Sequence, residues 1–261
     1  MKLAAWNVNS IKARLPVVTE WLAGARPDAL CMQETKCTDD AFPTGPFEEA
    51  GYQVFFHGQK SYNGVAIAAK IPAEDVLYGL PGADVETFGA RYMELTLFPD
   101  GSEPVRVASI YLPNGNPVSS DKFKRKLKWM SLLRERAEEL LKEEEAFVLG
   151  GDFNIIPAPL DAKNIATWEG DALYHPDALS HFRVLTNLGI QDAFRACWQG
   201  GGRYSFWDYQ AGAWRKGDGI RIDHMLVSPQ AMDRLEACDI DSEPRGWDKP
   251  SDHAPIWVEL K

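Results

Sequence analysis

Short apolar runs that stop at a carboxylate, an amide or a phenol recur along this chain, and no other feature limits its fold as much. Residues 3–8 end around Asn7, residues 29–32 lead into Gln33 and Glu34, and residues 105–111 close on Tyr111. Runs this short suit buried strands better than helices, and polar groups where they run out suit one rim of a sheet. In the stretch AFVLGGDFN, Ala146 to Leu149 are followed by Gly150 and Gly151, then by Asp152 and Asn154. Side chains alternate faces along a strand, so Asp152 and Asn154 share one face if strand geometry persists past the glycines. The paired glycines imply a bent strand or a close approach to its backbone.

Helical signals alternate with these runs. Asn9 and Ser10 offer a cap for a helix through Arg14, Val17, Val18, Trp21 and Leu22. Residues 52–56 and 64–69 read as strands joined by a turn around Ser61, Tyr62 and Asn63. Residues 92–98 turn at Pro99-Asp100-Gly101 into the run from Val105. Over residues 122–145, Phe123, Leu127, Met130, Leu133, Ala137 and Leu140 form one helical stripe. Lys122, Lys124, Arg125, Lys126 and Lys128 crowd its start and Glu143, Glu144 and Glu145 its end. The helix dipole prefers the reverse by roughly 0.3–1 kcal/mol per exposed charge. A basic start of this kind either faces an anion or is a solvated helix end, and the second is the plainer reading. A helix over residues 179–188 stops at Gly189, and residues 220–227 and 254–260 complete the strands.

Mixed strands and helices with 45% apolar residues and no low-complexity linker point to one α/β domain over residues 1–261. Similar makeup on either side of the basic helix suggests two related halves, about 1–118 and 119–261. The net charge of −10 argues against holding nucleic acid by bulk charge, but permits a local basic patch or a metal at the phosphate. Four scattered cysteines form no CxxC pair, so neither a disulfide framework nor a zinc knuckle is expected. The apolar residues 3–6 are too few for a secretory signal, and no membrane-spanning run follows, so the expected location is the cytoplasm.

The polar residues at the strand ends are Asn7, Glu34, Tyr111, Asp152, Asn154, Asp223, Asp252 and His253. Each alone is ordinary, since a strand-end aspartate is usually a turn or cap residue. Their repetition at separate strand ends is most economically explained by convergence. Oxygen donors without thiolates suit a hard cation such as Mg²⁺ or Mn²⁺. One histidine with spare carboxylates suits an imidazole oriented by an acid and acting on a phosphoryl centre. There is neither a GxxxxGK[ST] loop nor a GxSxG elbow. Metal-assisted phosphodiester hydrolysis by water fits what remains.

Seven segments in order resemble the motifs of the exonuclease III family of bacterial apurinic/apyrimidinic endonucleases. They are Trp6-Asn7-Val8-Asn9, Gln33-Glu34-Thr35-Lys36, Tyr62-Asn63-Gly64-Val65-Ala66, Tyr111-Leu112-Pro113-Asn114-Gly115, Gly151-Asp152-Phe153-Asn154, Arg221-Ile222-Asp223-His224 and Ser251-Asp252-His253-Ala254-Pro255. The resemblance spans Lys2 to Leu260, and its specificity lies in the ordered set. It implies a four-layer αββα sandwich, two mixed β-sheets flanked by helices, related to deoxyribonuclease I. It also implies Mg²⁺-dependent cleavage of duplex DNA 5′ to abasic sites, removal of blocked 3′ ends and a 3′-to-5′ exonuclease, in a monomer that acts during repair at the nucleoid.

Position by position, the resemblance makes Glu34 the principal metal carboxylate, with Asn7 beside it and Asp252 a weaker contributor. Asp152 aligns or deprotonates the attacking water, and Asn154 holds the water or the phosphate; both also count among the metal-site residues. Asp223 orients His253, which contacts the scissile phosphate or acts as base, and Tyr111 stabilises the transition-state oxygens. Asn9, Lys36 and Asn114 stand in motifs expected to touch substrate. Phe206, Trp207, Ile220 and Ile222 occupy the region of the pocket for a flipped abasic sugar, whose extrusion costs a few kcal/mol and needs a fitting wall. Core packing is the competing reading for Trp207 and Trp214. The glycines before Asp152 would let a DNA phosphate approach. Two alternatives keep the sandwich: an exonuclease acting at 3′ ends with little abasic-site incision, and a phosphatase or phosphodiesterase with another substrate.

Overall fold

A computed structural model describes all residues from Met1 to Lys261. Its strands are β1 (Lys2–Asn7), β2 (Ala29–Gln33), β3 (Gln53–His57), β4 (Val65–Ala69), β5 (Ala73–Tyr78), β6 (Tyr92–Leu97), β7 (Val105–Tyr111), β8 (Ala146–Asp152), β9 (Gln191–Asp192), β10 (Asp223–Val227), β11 (Leu235–Ile240) and β12 (Ile256–Leu260). They form two six-stranded mixed sheets, ordered β11-β12-β1-β2-β4-β3 and β5-β6-β7-β8-β10-β9. The sheets stack on a shared apolar layer that includes Leu3, Ala5 and Cys31 from one and Val107, Val148 and Met225 from the other. The alternate residues Ala4, Trp6 and Leu30 face the Ile11–Ala25 helix. Ala108, Ile110, Phe147 and Leu149 face the Asp121–Lys142 and Pro176–Thr186 helices. Both faces of the central strands are therefore covered, which is why their sequences are continuous apolar runs rather than alternating ones. Each large side chain fully buried in these layers contributes about 1.5–3 kcal/mol. The result is the expected helix–sheet–sheet–helix sandwich.

The two sheets repeat one topology. In the first, β1 runs parallel to β2, β2 antiparallel to β4, and β4 antiparallel to β3. In the second, β7, β8, β10 and β9 have the same order and senses. An antiparallel pair completes each, β11-β12 beside β1 and β5-β6 beside β7. The first sheet therefore joins the first four strands to the last two, the second takes β5 to β10, and the second repeat opens with β7 itself rather than after residue 118.

The register sets the site. Both parallel pairs, β1-β2 and β7-β8, end at the same rim, with Asn7 opposite Gln33 and Tyr111 opposite Asp152. The antiparallel partners start there, with Asp223 opposite Asp152 and Ile256 opposite Ala5. Every strand-end polar residue singled out above is thus delivered to one edge of the sandwich.

Several expectations are corrected by tertiary packing. β8 does continue through its glycines, but a Cβ at Gly151, where φ is +146°, would lie 2.1 Å from the Ile110 carbonyl oxygen on β7. At Gly150 a Cβ would meet Met225 Sδ at 2.9 Å and Ala5 at 3.4 Å. Sheet packing requires glycine at 151, where backbone is met, and the Met225 side chain closes on 150, so contacts within the protein account for the pair without a DNA phosphate. The cap from Asn9 and Ser10 does not form: the Ser10 side chain accepts nothing from the helix, while Ser10 N–H and Ile11 N–H donate to the Glu34 and Thr35 carbonyls. The long helix ends at Lys142, and Lys126, read as part of its solvated basic start, lies wholly inside. That helix is fastened by Arg136 to Glu94, a fully buried carboxylate on β6 that also meets Arg106.

Candidate active site

His253 is held from several sides. Its backbone N–H donates to Ser251 Oγ, its carbonyl accepts from Trp6 Nε1 at 3.0 Å, and the Ser251 hydroxyl donates to the Asn7 carbonyl at 2.6 Å. Its Nδ1 lies 2.9 Å from Asp223 Oδ2, and its Nε2 points at Asp152 Oδ2 from 3.9 Å. The Ile222 and Asp223 amides both donate to Ser205 Oγ, while the Ser205 carbonyl accepts from Ala254 N–H at 2.7 Å. Ser205 thereby couples the segments bearing Asp223 and His253, and no sequence pattern pointed to it. Burial works against charge on His253, yet Asp223, with Asp152 and Asp252 beyond, raises its pKa to about 10. The Asp223 contact orients the imidazole and favours its cationic form.

Asp152 is the counterpart. Burial first, and then the charge of Asp223, raises its pKa to about 7 against the pull of His253 and two hydrogen-bond donors. One donor is the Asn154 amide, 2.9 Å from Asp152 Oδ1. The other is Asn7 Nδ2, which also donates to Glu34 Oε1, at 3.0 Å and 2.9 Å respectively. The Asn7 oxygen faces away and accepts from Asn9 N–H at 3.0 Å. That contact fixes the amide orientation, since a flipped amide would set two N–H groups against each other. Asn7 is thus a bridge between two carboxylates, a correction to its expected place among metal oxygens.

Glu34 would rise through burial, but the Asn7 amide and Lys36 bring its carboxyl below the usual range. Lys36 Nζ sits 2.7 Å from Glu34 and donates to Asn9 Oδ1, and Asn9 Nδ2 donates to Asp252 Oδ1 at 2.9 Å. Lys36 and Asn9 therefore buttress Glu34 and Asp252. Left-handed backbone collects here: φ is 45° at Asn9, 53° at Glu34, 53° at Lys36 and 47° at Asn154. Conformations this uncommon for such residues persist only where surrounding bonds impose them. Asn154 also shows why the strand argument was incomplete. β8 ends at Asp152, and the left-handed turn, rather than alternation, brings amide and carboxylate together. Asn154 Oδ1 accepts from Asn114 Nδ2 at 3.1 Å, and one of its N–H groups donates to the Leu112 carbonyl at 2.9 Å.

The cleft enclosed is about 260 Å³. Glu34, Asp152, Asp252 and His253 occupy its polar side, with Tyr111, Asn114 and Asn154 at its edge. Burial, and then Glu34, push the Tyr111 phenol well above its ordinary pKa, so it stays protonated. Phe206 and Ile222 line the apolar wall, joined by Trp168 and Leu173 from the irregular stretch after β8. Trp207 does not: it is 5% exposed and packs edge-on against Trp214 and Tyr204 in the inter-sheet core. Ile220 is 2% exposed and pairs with Phe206 from behind the wall. Trp168 and Leu173 follow no period, which is why pattern reasoning missed them. A neighbouring cleft of about 330 Å³ shares Asn114 and Asn116 and carries Arg91, Lys122 and Arg125. It is a local basic patch on an acidic molecule.

The donor set suits a hard divalent cation. Glu34 and Asp152 converge on one amide, the set is oxygen-rich, and Asp223 Oδ1 is buried without a partner. Asp152, Asp223 and His253 also bring their ligand atoms within 4.8 Å of one another. The His253–Asp223 bond leaves that histidine to act as a cation rather than a ligand.

The profile of the Endonuclease/Exonuclease/phosphatase family matches residues 4–253. Exodeoxyribonuclease III of Haemophilus influenzae is 32% identical over 269 aligned positions that cover all of both chains. Among solved structures, an AP endonuclease from Archaeoglobus fulgidus superposes with a TM-score of 0.93 at 34% identity, covering 100% of this chain and 99% of that one. A Neisseria 3′ phosphatase bound to a product DNA hairpin has the same TM-score at 35% identity, with 100% and 99% coverage.

Proposed function

The chain belongs to the Endonuclease/Exonuclease/phosphatase family, and from that premise we propose that it incises duplex DNA 5′ to abasic sites with the help of Mg²⁺, clears blocked 3′ ends and acts as a monomer. In its coarser form, this is a DNA-repair nuclease of the exonuclease III and AP endonuclease kind. One observation carries the mechanistic reading: Asp152 and an imidazole oriented by Asp223 face each other across 3.9 Å in one cleft beside Glu34.

Glu34, with Asp152 and Asp252, would hold the cation, and Mn²⁺ could substitute for Mg²⁺. When bound, the ion polarises a phosphoryl oxygen and offsets the charge of the attacked phosphate. Asp152, fixed by the Asn7 and Asn154 amides and facing His253, is placed to align the attacking water or take its proton. His253, whose cationic form is favoured, stabilises phosphoryl oxygens and does not act as base. Tyr111, kept protonated by burial and by Glu34, donates to the same oxygens. The free N–H of Asn154 steadies the water or the phosphate beside it. Phe206, Ile222, Leu173 and Trp168 offer an apolar wall to a deoxyribose that lacks a base, and Arg91, Lys122 and Arg125 lie where flanking phosphates can be met.

The test uses labelled duplexes bearing a single tetrahydrofuran abasic analogue or a 3′-phosphate, with Mg²⁺ and with EDTA. Metal-dependent incision of the first and end-clearing of the second are expected. Metal-independent incision, or no action on either duplex, would overturn the reading.

A further inference from the structure

Lys126 occupies the buried stripe of the Asp121–Lys142 helix with no exposed surface. An apolar side chain is the ordinary occupant of such a position, because enclosing an ammonium costs several kcal/mol unless it is well partnered. Its partners are not acidic side chains. Nζ donates to the backbone carbonyls of Asn154, at 2.7 Å, and Asn114, at 3.0 Å. These carbonyls belong to the loops leaving β8 and β7, the strands that present Asp152 and Tyr111. The loops also close on the lysine stem: at Gly115, where φ is +93°, a Cβ would stand 2.7 Å from Lys126 Cδ. From Asn154 the connections continue into the cleft, where its N–H meets Asp152 Oδ1 and its Oδ1 accepts from Asn114 Nδ2.

We propose that Lys126 is a positioning residue for the nuclease reaction: by gripping both loop carbonyls from behind the cleft, it keeps Asn154 in its left-handed turn and sets Asn114, Asn154 and Asp152 as one unit. It touches neither substrate nor the reacting atoms. An apolar side chain would fill the same space but leave two carbonyls without a donor, freeing the Asn154 turn to relax. Because misplacement of about 1 Å can cost about 10²-fold in rate, the effect should fall on turnover and spare affinity.

This inference rests on the nuclease reading, and the test separates the two. Wild type, Lys126→Met, Asn154→Ala and the double variant are compared by kcat and KM on the tetrahydrofuran duplex, with folding checked by circular dichroism. Lys126→Met is expected to lower kcat about 10–100-fold with KM within about threefold of wild type. In the Asn154→Ala background, where the side chain that ties the turn to Asn114 is already gone, it should cost clearly less than in wild type. An unchanged kcat, a loss in KM alone, or the same fold-loss in both backgrounds overturns the proposal while wild-type incision stands. If Lys126→Met does not fold, Lys126→Gln, whose shorter side chain keeps an NH2 donor group, carries the same cycle with a smaller loss of kcat expected. An inactive wild type instead refutes the nuclease reading itself.

Discussion

Replacing Asp223 by asparagine keeps the shape of the partner to His253 and removes its charge. In the native protein that charge acts over 2.9 Å inside a dry core, and the imidazole pKa stands at about 10 against a usual 6.5. The difference corresponds to roughly 5 kcal/mol at 1.36 kcal/mol per unit. Without the Asp223 charge, burial drives the histidine down, and only Asp152 and the more distant Asp252 resist. A pKa back at about 6.5 would leave about one-tenth of the molecules with a charged imidazole at pH 7.5. Asp223→Asn should therefore lose at least about tenfold in kcat/KM at pH 7.5, and its activity should fall as pH rises through 6.5. The wild-type profile should show no histidine limb below about pH 9. The measurement is kcat/KM from pH 5.5 to 9.5 on the abasic duplex, paired with nitrogen chemical shifts of the His253 ring. Stability gives an independent check. The folded pKa lies above the unfolded one, so this histidine's contribution is complete below pH 6.5 and is lost as pH rises towards 10. The difference in unfolding free energy between wild type and variant should shrink over that window. A variant with the wild-type pH profile, or a wild-type ring that titrates near 6.5, would refute the claim that His253 works as a cation.

Three further outcomes are expected. Asp152→Asn should reduce incision by about 10²–10⁴-fold, and near-normal turnover in a folded variant would remove Asp152 from the reaction. His224 is buried beside Arg221, and burial, with that guanidinium, holds its pKa down at about 4. The unfolded state therefore takes up a proton first as pH falls, so between pH 6.5 and 4 wild type should lose roughly 3 kcal/mol relative to a folded His224→Phe variant, in which every other titrating group is shared. Gly151→Ala should lower unfolding stability by about 3 kcal/mol, because its Cβ would strike the Ile110 carbonyl backbone. An undiminished melting temperature would contradict that account.

The central strands were readable because both faces of β1, β2, β7 and β8 are covered, which leaves a continuous apolar run in the chain. Of the four edge strands only β3 was, and β5, β9 and β11 were not. β5 is largely exposed, β9 has two residues, and β11 alternates weakly. Their place comes from hydrogen bonds to a neighbour that the local sequence does not contain. With them went the exchange of hairpins between sheets, and so the true start of the second repeat.

Residue chemistry alone, then, determined the strand-end carboxylates, the single imidazole, the oxygen-rich donor set and the order of motifs that marks the family. Those properties reside in side-chain types and their spacing. Tertiary structure decided which groups serve the cleft and which hold it. It put Trp207 in the core, turned Lys36 and Asn9 into supports, and made Asn7 a bridge. It also buried Lys126 behind the loops and lifted two pKa values that no reading of the chain could rank. Burial and charges contributed by distant segments set those outcomes, and both exist only after the sheets have stacked. The Gly150-Gly151 pair has the same lesson: the chain announced that something comes close, and the packed sheets identified it as the backbone of β7 and the side chains of Ala5 and Met225.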